Sequence, residues 1–247
     1  MHKVLMKTVD ASRYFGGLVA NDKVNIEIIK GQTHAVLGPN GAGKSTLINL
    51  LSGDLKCSSG SVCFGDLDIT NLSPEERSML GVGRSYQKTN IFPSFSVLEN
   101  CRLAAQSRRQ RPGAVFTDAL KYRSYLDQAE KSIYDTGLSG FEHRIASELS
   151  HGEQRQLELA IVLSTQPSIL LLDEPLAGMG SEESMTMIEL LRKLAPSHGI
   201  LMVEHDMDAV FAIADVITVM VNGSVLMTDT PEAVKASPEV QQAYFGH

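Results

Sequence analysis

The sequence predicts an α/β fold in which a block of helices is inserted into a parallel β-sheet core. Strand-like stretches fill the chain to about residue 70, helical spacing dominates to about residue 165, and apolar strands separated by helical segments follow. Strands that alternate with helices are typical of a parallel sheet, which makes the central helices an insertion. With 247 residues, 43% of them hydrophobic, the chain can build one large domain or two coupled ones.

Three strands are predicted in the N-terminal part. The segment "KVNIEII" (23–29) alternates in polarity, "HAVLG" (34–38) is a short apolar run, and "SVCF" (61–64) precedes a Gly-Asp turn. The segment "SPEER" (73–77) is a proline-containing capping box, which predicts the start of a helix. Helical spacing then continues to about Thr165.

Strand character returns in the last third of the chain. The apolar segments "SILLLDEP" (168–175) and "GILMVEH" (199–205) each predict a buried strand. A hairpin is predicted in "VITVMVNGSVLMTD" (216–229), where Asn222-Gly223 supplies the turn.

Charge and composition limit the possible functions. A formal net charge of −7 argues against a general nucleic-acid binder, and we interpret the basic cluster "RRQR" (108–111) as a solvated loop. The longest apolar runs fall far short of the roughly 20 residues that cross a bilayer. The N-terminus lacks the apolar region of a signal peptide, so we expect a cytoplasmic protein whose membrane contact goes through a partner. The three cysteines lack zinc-site spacing and are interpreted as free thiols.

The strongest chemical signal is the phosphate loop, "GPNGAGKST" at residues 38–46, which fits G-x-x-x-x-G-K-[ST] between a strand and a helix. Its glycines let backbone N–H groups turn toward a phosphate at a helix N-terminus. Lys44 would reach the β- and γ-phosphates, and the Ser45 hydroxyl would bind magnesium. A glycine-rich turn without function is the alternative. The predicted nucleotide-binding residues are Gly38, Pro39, Asn40, Gly41, Ala42, Gly43, Lys44, Ser45 and Thr46.

A carboxylate pair follows the buried strand "ILLL" (169–172). Asp173 fits a residue that holds magnesium through its water shell, and Glu174 fits a base that orients or deprotonates the attacking water. Asp-Glu-Pro at a strand end could by itself be only a turn. The phosphate loop upstream favours the catalytic interpretation.

The signature segment, "LSHGEQ" at residues 149–154, raises a separate question. Ser150 and Glu153 fit a capping box at the start of a helix. Gly152 is not explained by that box, because glycine in a helix costs roughly 1 kcal/mol relative to alanine. We expect that something comes very close to the backbone at Gly152.

The order of these segments resembles that in the nucleotide-binding subunits of ATP-binding cassette (ABC) transporters, and the resemblance covers essentially the whole chain. It implies a P-loop NTPase, RecA-like core with an N-terminal antiparallel β subdomain and an inserted α-helical subdomain. The single domain would span residues 1–247, with its core at 1–87 and 165–247 and the insertion at about 88–164.

The resemblance also implies roles for residues that carry no signal alone. Phe15 in "RYFGG" would stack on adenine, Gln87 would link magnesium and the attacking water to the helical subdomain, and His205 would contact the γ-phosphate. The implied catalytic residues are thus Glu174, His205, Gln87 and Lys44, and the implied magnesium ligands are Ser45, Gln87 and Asp173. ATP and Mg²⁺ are the expected ligands.

In this family two ATPase chains, identical or related, face head to tail. Ser150, Gly152 and Glu153 would then lie against the ATP held by the phosphate loop of the other chain. The resemblance further implies two transmembrane permease subunits, a periplasmic solute-binding protein that acts indirectly, and no nucleic acid. The ATPase would lie at the cytoplasmic face of the inner membrane.

Softer features are similar to the ATPase subunits of branched-chain amino-acid importers and their urea and amide relatives. These are "RYFGGLVA", "LSHGEQRQLELA", "DEPLAGM" and the ending "YFGH". Two departures from the wider family are His151, where glycine is usual, and Gly180, where aspartate is common. We interpret both as subfamily marks.

Two other functions remain open at this point. A soluble ABC ATPase acting on ribosomes or DNA usually carries two cassettes or a coiled-coil insertion, and neither pattern is present in this sequence. The cassette of a lipid or lipopolysaccharide exporter is the other alternative. The solute, the permeases, and the choice between a homodimer and a heterodimer do not follow from the sequence.

Overall fold

Two β-sheets and two groups of helices make up the computed structural model, which describes residues 3–87, 90–108 and 119–245. The first sheet is antiparallel, with strand order β2-β1-β5-β6 and with β3 paired to β1. Its strands are β1 (Val4–Phe15), β2 (Leu18–Val24), β3 (Glu27–Ile29), β5 (Ser59–Phe64) and β6 (Leu67–Asp68).

The second sheet is the core of the fold and has the order β11-β10-β4-β9-β8-β7. Its neighbours are parallel except for the β10–β11 hairpin. The strands are β4 (Thr33–Leu37), β7 (Val82–Arg84), β8 (Ile169–Asp173), β9 (Gly199–Val203), β10 (Val216–Val221) and β11 (Ser224–Asp229). This mixture of a parallel core sheet and an N-terminal antiparallel sheet confirms the predicted fold class.

The helices fall between these strands. They are α1 (Lys44–Ser52), α2 (Pro74–Leu80), α3 (Val97–Ser107), α4 (Ala119–Asp135), α5 (His151–Ser164), α6 (Ser181–Leu194), α7 (Met207–Ile213), α8 (Pro231–Ala236) and α9 (Pro238–Phe245). Within the described residues, no helix combines the length and the hydrophobicity that crossing a bilayer requires.

Side chains of the core sheet alternate between two hydrophobic clusters, which explains why its strands are apolar without interruption. In β8, Leu170 and Leu172 pack with residues of α5, α6 and α7. Ile169 and Leu171 pack on the opposite face with α1 and the antiparallel sheet. The core sheet is therefore buried on both faces, and the residues that follow its strands are fixed in position.

A third cluster joins α3, α4 and α5. Helix α5 contributes Leu157 and Ala160 to this cluster, and Leu159 and Val162 to the core sheet. One helix thus packs on both parts of the fold. The division into a core and an insertion at residues 88 and 164 stays a prediction.

The structure corrects two strand predictions. The predicted strand at 23–29 is split into β2, which ends at Val24, and β3, which begins at Glu27; at the break the Thr8 hydroxyl bonds the Val24 carbonyl and the Ile26 N–H. Strand β7 lies inside the part predicted to be helical. It was missed because it is three residues long and contains Gly83, whose missing side chain leaves room for Val162 and Pro167.

Several other local predictions are confirmed, but Arg108 of the basic cluster, predicted to be a solvated loop, is half-buried and donates to the carbonyls of Thr165 and Gln166. Ser73 forms the predicted capping box of α2, and the Asn222-Gly223 turn has positive φ at both residues. The cysteines are free thiols. Residues 109–111 of the basic cluster and the last two residues of "YFGH" lie outside the described residues.

A buried histidine makes stability depend on pH. His34 in β4 pairs through Nδ1 with the Glu27 carbonyl at 2.9 Å and through Nε2 with Thr218 Oγ1 at 2.7 Å. Burial lowers the pKa of His34 below its usual value of about 6.5. The unfolded chain therefore takes up a proton at a pH where the folded chain does not, so His34 costs stability as the pH falls below about 6.5.

We expect the free energy of unfolding to fall more between pH 7.5 and pH 5.5 in the wild type than in His34→Gln. Denaturant unfolding at the two pH values measures both losses. His198→Gln is the control, because His198 is a half-buried imidazole whose Nδ1 pairs with the Leu194 carbonyl at 2.8 Å. Equal losses in the wild type and His34→Gln would contradict the assignment.

Candidate functional site

The phosphate loop connects β4 to α1 and needs glycine at two positions. Gly41 and Gly43 have φ of 81° and 98°, which disfavours other residues. A β-carbon on Gly43 would also lie 2.3 Å from the Ala20 carbonyl oxygen of β2. The loop is therefore held against the antiparallel sheet, and the Asn21 amide donates to the Gly43 carbonyl at 3.2 Å.

Lys44 folds back over this loop. Its ammonium donates to the carbonyls of Gly38 at 2.6 Å and Pro39 at 3.0 Å. Burial lowers the pKa of Lys44, and the carboxylates of Glu174 and Asp173 act in the opposite direction. The cation thus lies on the phosphate loop, where it can contact a nucleotide phosphate.

Asp173 is the last residue of β8 and is buried. Its carboxylate lies 3.7 Å from Nη2 of Arg84, a residue that the sequence analysis did not single out. Burial raises the pKa of Asp173, and the Arg84 guanidinium opposes that rise. Because Arg84 is on neighbouring strand β7, only the pairing of β7 with β8 brings the two together.

The oxygen groups near the loop suit Mg²⁺. Ser45 is exposed at the start of α1, and Asp173 supplies a carboxylate. Among the described residues, no group of three or more His, Cys, Asp or Glu side chains could hold a metal by itself. Mg²⁺ commonly binds one or two protein oxygens and completes its shell with water and substrate phosphates, so this donor set fits it.

Glu174 is the centre of a cluster of three predicted catalytic residues. Gln87 Nε2 donates to its Oε2 at 2.8 Å, and His205 Nε2 pairs with its Oε1. The backbone of Glu174 has φ of 51°, a conformation that non-glycine residues rarely adopt and that clusters at functional sites. Its N–H donates to the Val203 carbonyl at 2.9 Å, which holds this residue at the end of the core sheet.

Phe15, the predicted adenine contact, ends β1 next to the turn into β2. Its side chain is 43% exposed, and the Arg13 guanidinium lies 4.6 Å from the ring centroid. An exposed aromatic ring beside a cation suits stacking on a planar base. Strand β2 also contacts the phosphate loop through Ala20, so the same hairpin carries both features.

The signature segment begins α5 with the predicted capping box. Ser150 Oγ accepts from the Glu153 N–H at 3.2 Å, and the Glu153 carboxylate accepts from the Ser150 N–H at 2.7 Å. The local pattern of Ser150 and Glu153 is confirmed as a helix cap.

The structure gives Gly152 a neighbour that the sequence analysis missed. The Glu183 carboxylate, from the first turn of α6, accepts from the Gly152 N–H at 3.3 Å. A β-carbon on Gly152 would lie 2.5 Å from that same oxygen. A side chain at residue 152 would therefore displace the Glu183 carboxylate and break this contact. No local signal points to this contact, since 31 residues separate its partners.

The two departures from the wider family lie at the same junction. A β-carbon built on Gly178 would lie 3.2 Å from the His151 ring, so the imidazole packs beside the segment after Glu174. The Gly180 N–H donates to Glu183 Oε2 at 3.2 Å. Gly180 has no side chain with which to complete a capping box, so Glu183 forms only half of one. The signature segment thus contacts the start of α6 in the same chain.

Comparison with known proteins gives consistent matches. Residues 21–177 match the family model described as ABC transporter. The high-affinity branched-chain amino acid transport ATP-binding protein LivG of Escherichia coli (strain K12) is 38% identical, over 94% of each chain. The corresponding protein BraF of Pseudomonas aeruginosa is 34% identical, over 100% of this chain and 99% of that one. The crystal structure of the ADP conformation of MJ1267, an ATP-binding cassette of an ABC transporter, matches with a TM-score of 0.86 and 31% identity, over 99% and 100% of the two chains.

Proposed function

This chain is an ATPase subunit of the ABC transporter family, and we propose that it powers the import of branched-chain amino acids. The proposal that this chain hydrolyses ATP rests on one cluster, in which Gln87 and His205 both contact the Glu174 carboxylate. The names of LivG and BraF support the solute class and favour an importer over an exporter or a ribosome-associated ATPase. Urea and amides are the alternative solutes.

The proposed division of roles follows from charge and position. Lys44 and the N–H groups of the phosphate loop hold the β- and γ-phosphates, and Phe15 stacks on adenine. Asp173 and Ser45 supply oxygens for Mg²⁺, which would neutralise charge on the phosphates. Gln87 is proposed as a further ligand and His205 as a contact to the γ-phosphate.

Glu174 is proposed as the base that orients the attacking water. Both of its carboxylate oxygens accept hydrogen bonds in the structure, from Gln87 and from His205. Each carboxylate oxygen can accept a second hydrogen bond, so a water molecule can donate to Glu174 while both contacts stay in place. If Gln87 turns to magnesium, a further acceptor position on Oε2 opens for the water.

We propose that a second ATPase chain, identical or related, places its signature segment against this ATP. Ser150 Oγ and the Gly152 N–H lie in the first turn of α5, where the helix dipole favours an anion. In the structure the Glu183 carboxylate accepts from the same Gly152 N–H. A phosphate from the other chain therefore competes with Glu183 for this donor, and repels it as well.

Glu183→Gln is accordingly expected to lower the ATP concentration needed for half-maximal dimerisation by roughly two- to fivefold, because a neutral amide repels phosphate less. The measurement is light scattering of the Glu174→Gln chain, which should not turn over ATP, with and without the second substitution. Glu182→Gln removes the same charge from an exposed neighbour and serves as the control. An unchanged or higher ATP requirement in Glu183→Gln would contradict the competition.

Two permease subunits are proposed as the membrane partners, with the solute-binding protein acting through them. A groove of 580 Å³ separates α2 and β7 from the ends of α3 and α5, and it reaches Tyr86 beside Gln87. Met79 and Tyr86 at this groove are 55% and 38% exposed. A permease segment lying here would contact the residue before Gln87. The chain would then lie at the cytoplasmic face of the inner membrane.

Uptake of labelled solutes tests this proposal. A strain lacking the chain is complemented with the wild type or with Glu174→Gln, and uptake of leucine, isoleucine, valine and urea is measured. We expect only the wild type to restore uptake of the branched-chain amino acids. Restoration of urea uptake alone would show that urea, and not a branched-chain amino acid, is the transported solute. Equal restoration by both chains would contradict a role for Glu174 in powering transport.

A further inference from the structure

A buried ion pair in α5 lies beneath the segment that carries Gln87. Arg155 Nη1 contacts Glu158 Oε2 at 3.0 Å, and the two side chains are only 7% and 6% exposed. Arg155 immediately follows the signature segment on the same helix. Neither residue was singled out by the sequence, where Arg and Glu three residues apart are typical of a solvated helix face.

Both members of the pair bind the backbone of Tyr86, and Arg155 also binds the backbone of Gln87. Arg155 donates to the Gln87 carbonyl at 2.8 Å and to the Tyr86 carbonyl at 3.3 Å. Glu158 accepts from the Tyr86 N–H at 3.1 Å. The cation thus meets carbonyls and the carboxylate meets an N–H group, so the pair matches the backbone in polarity.

This arrangement bears directly on Gln87, whose side chain is exposed and reaches Glu174 at 2.8 Å. Because the Gln87 side chain is exposed, few packing contacts fix its place, and the position of its backbone decides whether the amide can reach Glu174. We propose that Arg155 and Glu158 are positioning residues that hold the backbone of Tyr86 and Gln87, so that the Gln87 amide reaches Glu174. The proposal rests on the ATPase function proposed above and extends it to two residues outside the catalytic cluster.

The proposal has a second consequence, since the same helix begins with Ser150. Arg155 and Glu158 connect the first turn of α5, proposed to meet the ATP of the other chain, to Gln87 in the chain's own site. A displacement of α5 on contact with the other chain would therefore move Gln87. The link is a set of direct hydrogen bonds between a helix and one short segment.

A purely structural ion pair is the competing explanation, and stability distinguishes the two. Replacing a buried ion pair with hydrophobic residues of similar volume is often neutral or stabilising. Arg155→Met combined with Glu158→Leu should therefore keep Tm close to the wild-type value while releasing the Tyr86–Gln87 backbone. We expect kcat for ATP to fall roughly tenfold or more with little change in KM, because small misplacement of a catalytic group is costly.

The decisive test combines this double variant with Gln87→Ala. Because the pair acts through Gln87, its replacement should cause little further loss of kcat once the Gln87 side chain is absent. Replacement of the Lys131–Asp135 pair of α4, in which the lysine is exposed and the aspartate half-buried, by Met and Leu is the control and should leave kcat unchanged.

The possible results separate the two proposals. Fully additive losses of kcat, or a wild-type kcat in the double variant, would overturn the positioning role. A large fall in Tm that accompanies the loss of kcat would support the structural explanation instead. Absence of ATP hydrolysis by the wild-type chain, alone and with a second ATPase subunit, would contradict the proposed function and not the inference about position.

Discussion

Glu174→Gln is expected to lower the turnover of ATP by roughly 100-fold or more while leaving ATP affinity nearly unchanged. The amide is similar in size to the carboxylate and can still accept from Gln87, but it cannot take a proton from water. The left-handed backbone at residue 174 and the N–H bond to Val203 are independent of the side chain's charge. The substitution should therefore change chemistry and not position.

Steady-state phosphate release and equilibrium titration with a fluorescent ATP analogue separate these two effects. Glu182→Gln again supplies a control for the loss of one negative charge from an exposed position. If Glu174→Gln turned over ATP within a few-fold of the wild-type rate, Glu174 would not be the catalytic base. A large loss of affinity would instead indicate that its charge mainly fixes the loop and Lys44.

Lys44→Ala is expected to weaken ATP binding by roughly 10- to 100-fold, because a charge-assisted contact to phosphate contributes about 1.5–3 kcal/mol. In the structure the ammonium already lies over the phosphate loop, bound to the Gly38 and Pro39 carbonyls. Bound phosphate can take over part of these contacts without a large movement of the side chain. The substitution removes a binding group and leaves Glu174 in place.

Isothermal titration with ATP measures this loss directly, and Tm with and without ATP gives a second reading. Lys30→Ala removes a lysine from an exposed position before β4 and is the matched control. ATP affinity close to that of the wild type in Lys44→Ala would contradict the assignment. A fall in the Tm of the free protein would show how much the two carbonyl contacts stabilise the loop itself.

The sequence predicts the parts of the site that are encoded within a few consecutive residues. The phosphate loop, the Asp173–Glu174 pair and the cap at Ser150 each combine a short pattern with a neighbouring strand or helix. The core strands are equally local, because burial on both faces requires unbroken apolar runs. Phe15, Gln87 and His205 became candidates only through the family resemblance.

Contacts between distant segments do not follow from such patterns. From the sequence we expect a phosphate bound to another chain beside the backbone of Gly152. The structure places the Glu183 carboxylate of the same chain there. By their spacing alone, Arg155 and Glu158 are typical of charges on a helix surface. In the structure they are buried beneath the segment that carries Gln87. In each case the partner is set by the packing of α5 against other elements, which local propensity does not determine.

The central claim is that ATP binds between two chains and is hydrolysed there with Glu174 as the base. Sedimentation velocity of the Glu174→Gln chain, with ATP and then with ADP, tests it most directly, using the second ATPase subunit as well if the transporter has one. We expect a dimer with bound ATP and monomers with ADP, because only ATP has the γ-phosphate that the signature segment would contact. The same sedimentation coefficient with both nucleotides, at concentrations that saturate binding, would contradict it.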